Sequence, residues 1–114
     1  MSDQDPDTPL LDRTHLEAQT FGDADLAREV LSLFEDQCRR LLPPLLDEGR
    51  SAGERADLAH TLKGAALGVG AMRVARASAA VETGLRAGRA VDLPALRAAV
   101  AATLETLGGF GLEA

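Results

Sequence analysis

The chain has 114 residues, which suits one domain, and its 46% hydrophobic and 26% charged residues are typical of a soluble globular protein. The net charge of −6, with scattered basic residues and no Trp or Tyr, argues against a nucleic-acid partner, whose phosphates require clustered Lys and Arg. No apolar run approaches the roughly 18 residues that cross a bilayer. The acidic N-terminus does not resemble a signal peptide, and the single Cys38 permits no internal disulfide. We therefore expect a cytoplasmic protein without a membrane segment.

The first eleven residues place Pro6 and Pro9 among acidic and small polar residues, a composition that predicts a flexible tail over residues 1–11. Asp12 can then cap a short helix that ends near residue 18. We expect residues 12–110 to form a single helical domain.

A long second helix is predicted after Asp23, which can cap it. Its apolar residues recur at the three- and four-residue spacing of a buried face: Leu26, Val30, Leu33, Phe34, Leu41 and Leu45. Pro43 and Pro44 interrupt the helix and predict a kink or a stop near Leu42. Since the apolar pattern resumes at Leu45, the sequence favours a kink.

The third helix carries the most informative residues of the chain, after a predicted loop over residues 47–53. With about 100° of rotation per residue, its core-facing side contains Leu58, Leu62, Ala65, Ala66 and Val69. The opposite side contains His60, Lys63, Gly64 and Leu67, with Ala56 beside them. The pattern therefore predicts that His60 faces water.

The residues around His60 suit the chemistry of a phosphate. An exposed imidazole is largely neutral at pH 7, so one ring nitrogen keeps its lone pair for nucleophilic attack. Lys63, at i+3, can place an ammonium beside an anion on the ring. Gly64, at i+4, leaves room for such an anion or for a partner's backbone. A glycine inside a helix costs about 1 kcal/mol relative to alanine, so its presence here calls for a reason.

Two further helices follow. Gly70 can adopt the left-handed conformation that reverses the chain, which would set the next helix, at about residues 71–87, antiparallel to its predecessor. That reversal would bring Glu82 near His60. Asp92 can cap the last helix, with Pro94 tolerated in its first turn.

The sequence supports neither a metal site nor a nucleotide-binding site. His15 and His60 lie on different predicted helices, and neither has a His or Cys at i+3 or i+4, so no metal site is predicted. The chain contains no glycine-rich loop of the kind that holds a nucleotide. We therefore expect the protein to receive any phosphoryl group from a partner and not from ATP directly.

The run His-Thr-Leu-Lys-Gly at residues 60–64, followed by small residues and Val-Gly-Ala at 69–71, resembles the signature of histidine-containing phosphotransfer (HPt) domains. The resemblance extends from about Leu26 to Leu85. It implies an all-α fold: an antiparallel up-down four-helix bundle, here with a short extra N-terminal helix. It also implies that His60 is phosphorylated on Nε2, that Lys63 neighbours the phosphate, and that Gly64 opens access to it.

The resemblance further implies the partners. These would be response-regulator receiver domains, a hybrid histidine kinase, or both, with the protein itself a monomer that relays phosphoryl groups. Such a protein is a phosphocarrier and not an enzyme, because the receiver catalyses most of the transfer. No cofactor is expected on this chain, since Mg²⁺ would be bound by the receiver.

Two assignments have competing interpretations. In related domains a polar residue at the position of Glu82 can bind Nδ1 of the histidine, but Glu82 could also be an ordinary solvated carboxylate. A second apolar edge of the second helix, formed by Leu31, Cys38 and Leu42, could be a wide core face buried by the short first helix. The resemblance favours instead a docking patch beside His60, together with Ala56 and Leu67.

The sequence has two alternative interpretations besides a phosphorelay protein. The chain could be an adaptor that docks a receiver or kinase domain without carrying phosphate, in which case Leu67 would matter and His60 would not. It could also be an enzyme that uses His60 as a hydrolytic nucleophile or base, but the sequence offers neither oxyanion donors nor pocket-forming residues nearby.

Overall fold

The computed structural model describes residues 8–108, and within this range the chain forms five helices and no strand. They are α1 (Arg13–Gln19), α2 (Ala24–Leu46), α3 (Ala52–Val69), α4 (Met72–Arg86) and α5 (Leu93–Gly108). The predicted all-α class is confirmed. None of the described helices combines the length and the apolar character needed to cross a membrane.

The four long helices pack around a shared core. Helix α3 lies against α2 and α4, and α5 lies against α4 and α2, while the short α1 contacts α3. The core includes several side chains with less than 2% exposure: Leu31, Phe34, Leu45, Leu62, Val74, Val81, Leu96 and Leu107. On the surface, Asp57 pairs with Arg86 and His60 with Glu82, so residue numbers rise along α3 as they fall along α4. Helices α3 and α4 are therefore antiparallel.

Capping residues explain where the helices begin. Asp12, Asp23 and Asp92 each accept a hydrogen bond from a backbone N–H in the first turn of the helix that follows, as the sequence predicted. Helix α3 begins at Ala52, slightly before the predicted end of the loop at residue 53, because the Ser51 hydroxyl accepts from the Glu54 N–H. Helix α2 continues through its two prolines to Leu46, so of the kink or stop predicted near Leu42, the stop does not occur.

The segment before α1 is docked on the bundle. Arg73 Nε donates to the Thr8 carbonyl, Arg76 Nη1 lies 2.7 Å from Thr8 Oγ1, and Leu11 is 9% exposed. The expectation of a flexible tail is therefore wrong for residues 8–11, because arginines of α4 bind Thr8 and the core takes up Leu11. Residues 1–7 of that predicted tail, and residues 109–110 of the predicted domain, lie outside the described residues.

The turn between α3 and α4 depends on Gly70. Its φ of +83° lies in the left-handed region, and a Cβ built there would lie 2.8 Å from the carbonyl oxygen of Asp12. Asp12 approaches this closely because its own N–H donates to the Gly70 carbonyl at 2.7 Å. Gly70 thus sets both the antiparallel course of α4 and the position of α1.

We expect Gly70→Ala to lower the free energy of unfolding by about 2 kcal/mol, because alanine disfavours the left-handed conformation and its Cβ would displace Asp12. Urea denaturation measures the effect. Gly68→Ala is the matched control, since a Cβ at this exposed helical position meets nothing within 4 Å and should leave stability equal or slightly higher. Equal stability of the Gly70→Ala variant and the wild type would contradict this account of the turn.

Candidate functional site

Helix α3 presents His60 to solvent. The His60 side chain is 63% exposed, whereas its neighbours Ala59 and Leu62 on the same helix are fully buried. The helical-wheel prediction of an outward-facing imidazole is therefore correct. The packing of α3 against α2 and α4 fixes the base of the side chain and leaves the ring accessible.

One edge of the imidazole ring faces Glu82 of α4. His60 Nδ1 lies 3.2 Å from Oε1 and 3.1 Å from Oε2 of the Glu82 carboxylate. A carboxylate can only accept a hydrogen bond when ionised, so in a neutral imidazole this contact selects the tautomer in which Nδ1 carries the proton. Nε2 then keeps its lone pair and points away from the carboxylate.

The side chains of His60, Lys63 and Arg86 surround the Glu82 carboxylate. Besides His60, Lys63 Nζ lies 3.1 Å from Oε1, and Arg86 Nε and Nη2 lie 3.1 and 3.0 Å from Oε2. Burial of Glu82, whose side chain is 13% exposed, opposes its ionisation. Hydrogen bonds from Lys63, Arg86 and His60 outweigh that effect and lower the pKa of Glu82 from 4.5 to about 2. The carboxylate is therefore ionised throughout the physiological range.

Arg86 and Asp57 extend this cluster, and the sequence interpretation did not include them. Arg86 Nη2 lies 3.1 Å from Asp57 Oδ1, so one guanidinium bridges two carboxylates on two helices. The Glu82–Arg86 half of the bridge has the i,i+4 spacing of a helical ion pair and could have been found in the sequence. The Asp57 half depends on the packing of α3 against α4.

Gly64 lies exposed on the same side of α3 as His60. A Cβ built at Gly64 meets no atom within 4 Å, so nothing inside the described chain requires a glycine there. The missing side chain instead leaves an open approach to the imidazole, one helical turn away.

An apolar groove begins beside Lys63 and runs along α3 and α4 toward the docked N-terminal segment. Its lining includes Leu67, Met72, Ala75 and Ala79, with Thr8 and Pro9 at its edge. Leu67 is 47% exposed, which agrees with the prediction that it lies on the histidine side. An exposed leucine within an apolar groove provides a surface that a partner can cover.

The other predicted docking residues do not belong to that surface. Leu31 and Ala56 are fully buried and Cys38 is 1% exposed, so their assignment to a docking surface is wrong. Leu42 is half-buried and packs against the core. The second edge of α2 is thus a wide core face. Its later part lies beside α5, since Cys38 and Leu42 line one cavity with Val100 and Leu104. Burial also raises the pKa of the Cys38 thiol to about 12, which makes it unreactive.

Among the residues that the structure describes, no group of three or more His, Cys, Asp or Glu side chains is positioned to hold a metal ion. The cluster around Glu82 is instead a set of hydrogen bonds and ion pairs. Its chemistry is therefore that of an oriented, accessible imidazole beside two cations.

A model of the Hpt domain family matches residues 25–109. The chain belongs to the Hpt domain family. The matched range contains His60, Lys63, Gly64 and Glu82 and leaves α1 outside. Hpt domains are phosphocarriers of two-component phosphorelays and typically interact with receiver domains and kinases. No curated protein and no solved structure matches the chain.

The ionised form of Glu82 stabilises the fold, because its pKa is lower in the folded chain than in the unfolded chain. This contribution is complete above the unfolded pKa of 4.5 and is lost as the pH falls through about 2. We expect the difference in unfolding free energy between the wild type and Glu82→Gln to be constant near neutral pH and to shrink between these two values. Denaturation at a series of pH values measures it, and an NMR titration of the Glu82 carboxyl with a midpoint near 4.5 would contradict it.

Proposed function

We propose that His60 is the phosphorylated residue of a phosphorelay protein. It would accept a phosphoryl group on Nε2 from a receiver-domain aspartate or a sensor kinase and pass it to another receiver. The observation that supports this role most directly is the contact of Nδ1 with Glu82, which in a neutral imidazole keeps the proton on Nδ1 and leaves Nε2 free, on a side chain that is 63% exposed.

The transfer balances without a further reactant. The Nε2 lone pair attacks the phosphorus of an aspartyl phosphate, the P–O bond to the aspartate breaks, and its electron pair stays on the carboxylate. The ring keeps its Nδ1 proton and becomes an imidazolium, whose positive charge is stabilised by the Glu82 carboxylate. In the reverse step the N–P bond breaks and its electron pair returns to Nε2. The receiver would supply Mg²⁺ and most of the catalysis, so we propose a phosphocarrier and not an enzyme.

Lys63 is the residue that we propose as the phosphate neighbour. Its side chain is 30% exposed, and it lies one turn from His60 on the same side of α3. At about 4 Å, two unit charges attract by about 1 kcal/mol in water and about 4 kcal/mol at an effective dielectric constant of 20. An attraction of this size orients a phosphoryl group without preventing its release.

The groove beside Lys63 is the surface that we propose for receiver docking. Leu67 and Met72 contribute apolar surface to it, and its charged lining residues are Lys63, Arg76 and Asp12, two positive and one negative. A receiver presents acidic residues around its aspartate, so charge and apolar area would complement each other. This groove takes the place of the buried edge of α2 that the sequence suggested.

We further propose that the architecture is an antiparallel up-down four-helix bundle, α2–α5, with α1 as an added short helix. The ring of helix contacts and the antiparallel pairing of α3 with α4 support it. A monomer in the cytoplasm is part of the same proposal, because a sensor kinase that feeds the relay draws its phosphate from cellular ATP.

An adaptor without phosphate is the second candidate. The groove around Leu67 favours it, because a docking surface could act without any chemistry at His60. The two functions differ in their dependence on the imidazole, so one substitution separates them.

We expect His60→Gln to abolish phosphoryl uptake from a phosphorylated receiver, because glutamine lacks the ring nucleophile. The wild type should gain a label that is labile in acid and stable in base, and the variant should gain none. Since His60 is exposed, thermal unfolding of the variant should match the wild type. Uptake of label by the variant would overturn the assignment, and full activity of the variant in cells would favour the adaptor.

We expect Gly64→Ala to increase the stability of the fold while it slows phosphoryl transfer. Alanine at this open helical position should raise the free energy of unfolding by about 0.5–1 kcal/mol. Its methyl group would narrow the approach to His60 and slow transfer from a phosphorylated receiver. Gly53→Ala is the control, since it is also open and helical but lies in the first turn of α3. Transfer by Gly64→Ala at the rate of the Gly53→Ala control would contradict the role of Gly64.

A further inference from the structure

We infer that Arg86 is a positioning residue that holds the Glu82 carboxylate against His60 when Lys63 turns from Glu82 to a phosphoryl group on Nε2. The inference rests on the proposed phosphorylation of His60. It assigns to Arg86 a role in the phosphorylated state that differs from its role in the free protein.

The two oxygens of Glu82 have different partners. Lys63 Nζ binds Oε1 at 3.1 Å, whereas both Arg86 contacts are to Oε2, at 3.0 and 3.1 Å. His60 Nδ1 is nearly equidistant from the two oxygens. If the Lys63 ammonium moves away, Oε2 therefore keeps both of its Arg86 contacts and stays within hydrogen-bond distance of Nδ1.

The Lys63 ammonium can move from Glu82 to a phosphoryl group on His60. In the free protein its ammonium is already paired with Glu82, so it can neutralise a phosphoryl group only by giving up that contact or sharing it. A phosphoryl group carries a charge of about −2, against −1 on a carboxylate, and attracts the ammonium more strongly. Lys63 is partly exposed, and its long flexible stem lets the ammonium move between neighbouring anions.

Arg86 is held in place by a second anchor. Its Nη2 also lies 3.1 Å from Asp57 Oδ1, so the planar guanidinium spans two carboxylates. Asp57 lies three residues before His60 on α3, and Glu82 lies four residues before Arg86 on α4. The bridge thus joins the two helices that carry the histidine and its orienting carboxylate, independently of Lys63.

The Nδ1 proton makes the imidazole ring a better leaving group when the phosphoryl group is transferred. When the N–P bond breaks, a ring that has kept its Nδ1 proton leaves as neutral imidazole, which accepts the electron pair on Nε2 far more readily than a deprotonated ring would. Glu82 keeps that proton in place by accepting it in a hydrogen bond. Arg86 therefore matters most after phosphorylation, when Lys63 no longer binds Glu82.

The test compares the wild type with Arg86→Gln before and after loading with phosphoramidate, a small phosphoryl donor that needs no partner protein. Ring ¹H–¹⁵N NMR spectra of His60 report the Nδ1 proton. Before loading, we expect the same tautomer and a similar proton exchange rate in both proteins, because Lys63 still holds Glu82. After loading, we expect about tenfold faster Nδ1 proton exchange and about tenfold slower transfer to a receiver in the variant, the effect of losing a charge-assisted hydrogen bond.

Two further variants sharpen the comparison. Arg86→Lys keeps one positive donor and should recover part of both losses. Arg28→Gln removes an arginine from another exposed ion pair, with Asp25 on α2, and should change neither measurement.

Each other outcome has a distinct meaning. Equal disturbance of the Nδ1 proton by Arg86→Gln in the free and phosphorylated proteins would show a fixed structural contact and overturn the inference. No disturbance in either state would overturn it as well. Failure of the wild type to take up phosphate at His60 would instead overturn the proposed function, and this inference with it.

Discussion

The contact between Glu82 and His60 is the interaction on which the rest of the site depends. A carboxylate at 3.1 Å from Nδ1 determines which ring nitrogen of the neutral imidazole is protonated, and hence which one can react. The contact joins residues 22 positions apart and exists only because α4 runs back along α3. The left-handed Gly70, whose carbonyl also accepts the N–H of Asp12, makes that reversal possible. A backbone conformation at the end of the bundle thereby sets the tautomer of a side chain in its middle.

The charges around His60 are balanced. Lys63 and Arg86 supply two positive charges, and Glu82 and Asp57 supply two negative ones, in a connected set of contacts. A phosphoryl group added to this set leaves it with a negative net charge, and the cations it meets are already shared with carboxylates. A site of this kind binds phosphate less firmly than a cluster of unpaired arginines would. That property suits a carrier, which must give up the group it accepts.

Local features of the sequence were sufficient to predict much of the fold. Asp12, Asp23 and Asp92 cap helices through contacts within three residues, and the outward direction of His60 follows from helical periodicity alone. Several features that join distant parts of the chain were missed or wrongly assigned. The attachment of Thr8 depends on arginines 65 and 68 residues later in the chain, which composition cannot reveal.

The candidate site shows the same difference between local features, which the sequence predicts, and contacts between distant residues. The turn at Gly70 was enough to suggest that Glu82 approaches His60, but the bridge from Arg86 to Asp57 needs the register of two packed helices. The second edge of α2 was assigned to a docking patch because an apolar stripe has the same appearance in sequence whether a partner or another helix covers it. Burial of Leu31 and Cys38 shows that the core takes up this edge.

The packing on the far side of α4 fixes the direction in which Glu82 points. Gly84 lies two residues, or about 200°, around the helix from Glu82. A Cβ at Gly84 would lie 2.4 Å from Val91 Cγ1, so the glycine allows the segment before α5 to press directly against α4. Ala56, Ala59 and Ala66 of α3 are also fully buried, and such small side chains let neighbouring helices approach closely. Because the glutamate side chain is short, its reach to Nδ1 depends on both the rotation and the closeness of α4. The position of Glu82 beside the exposed imidazole thus depends on buried residues of α3 and α4.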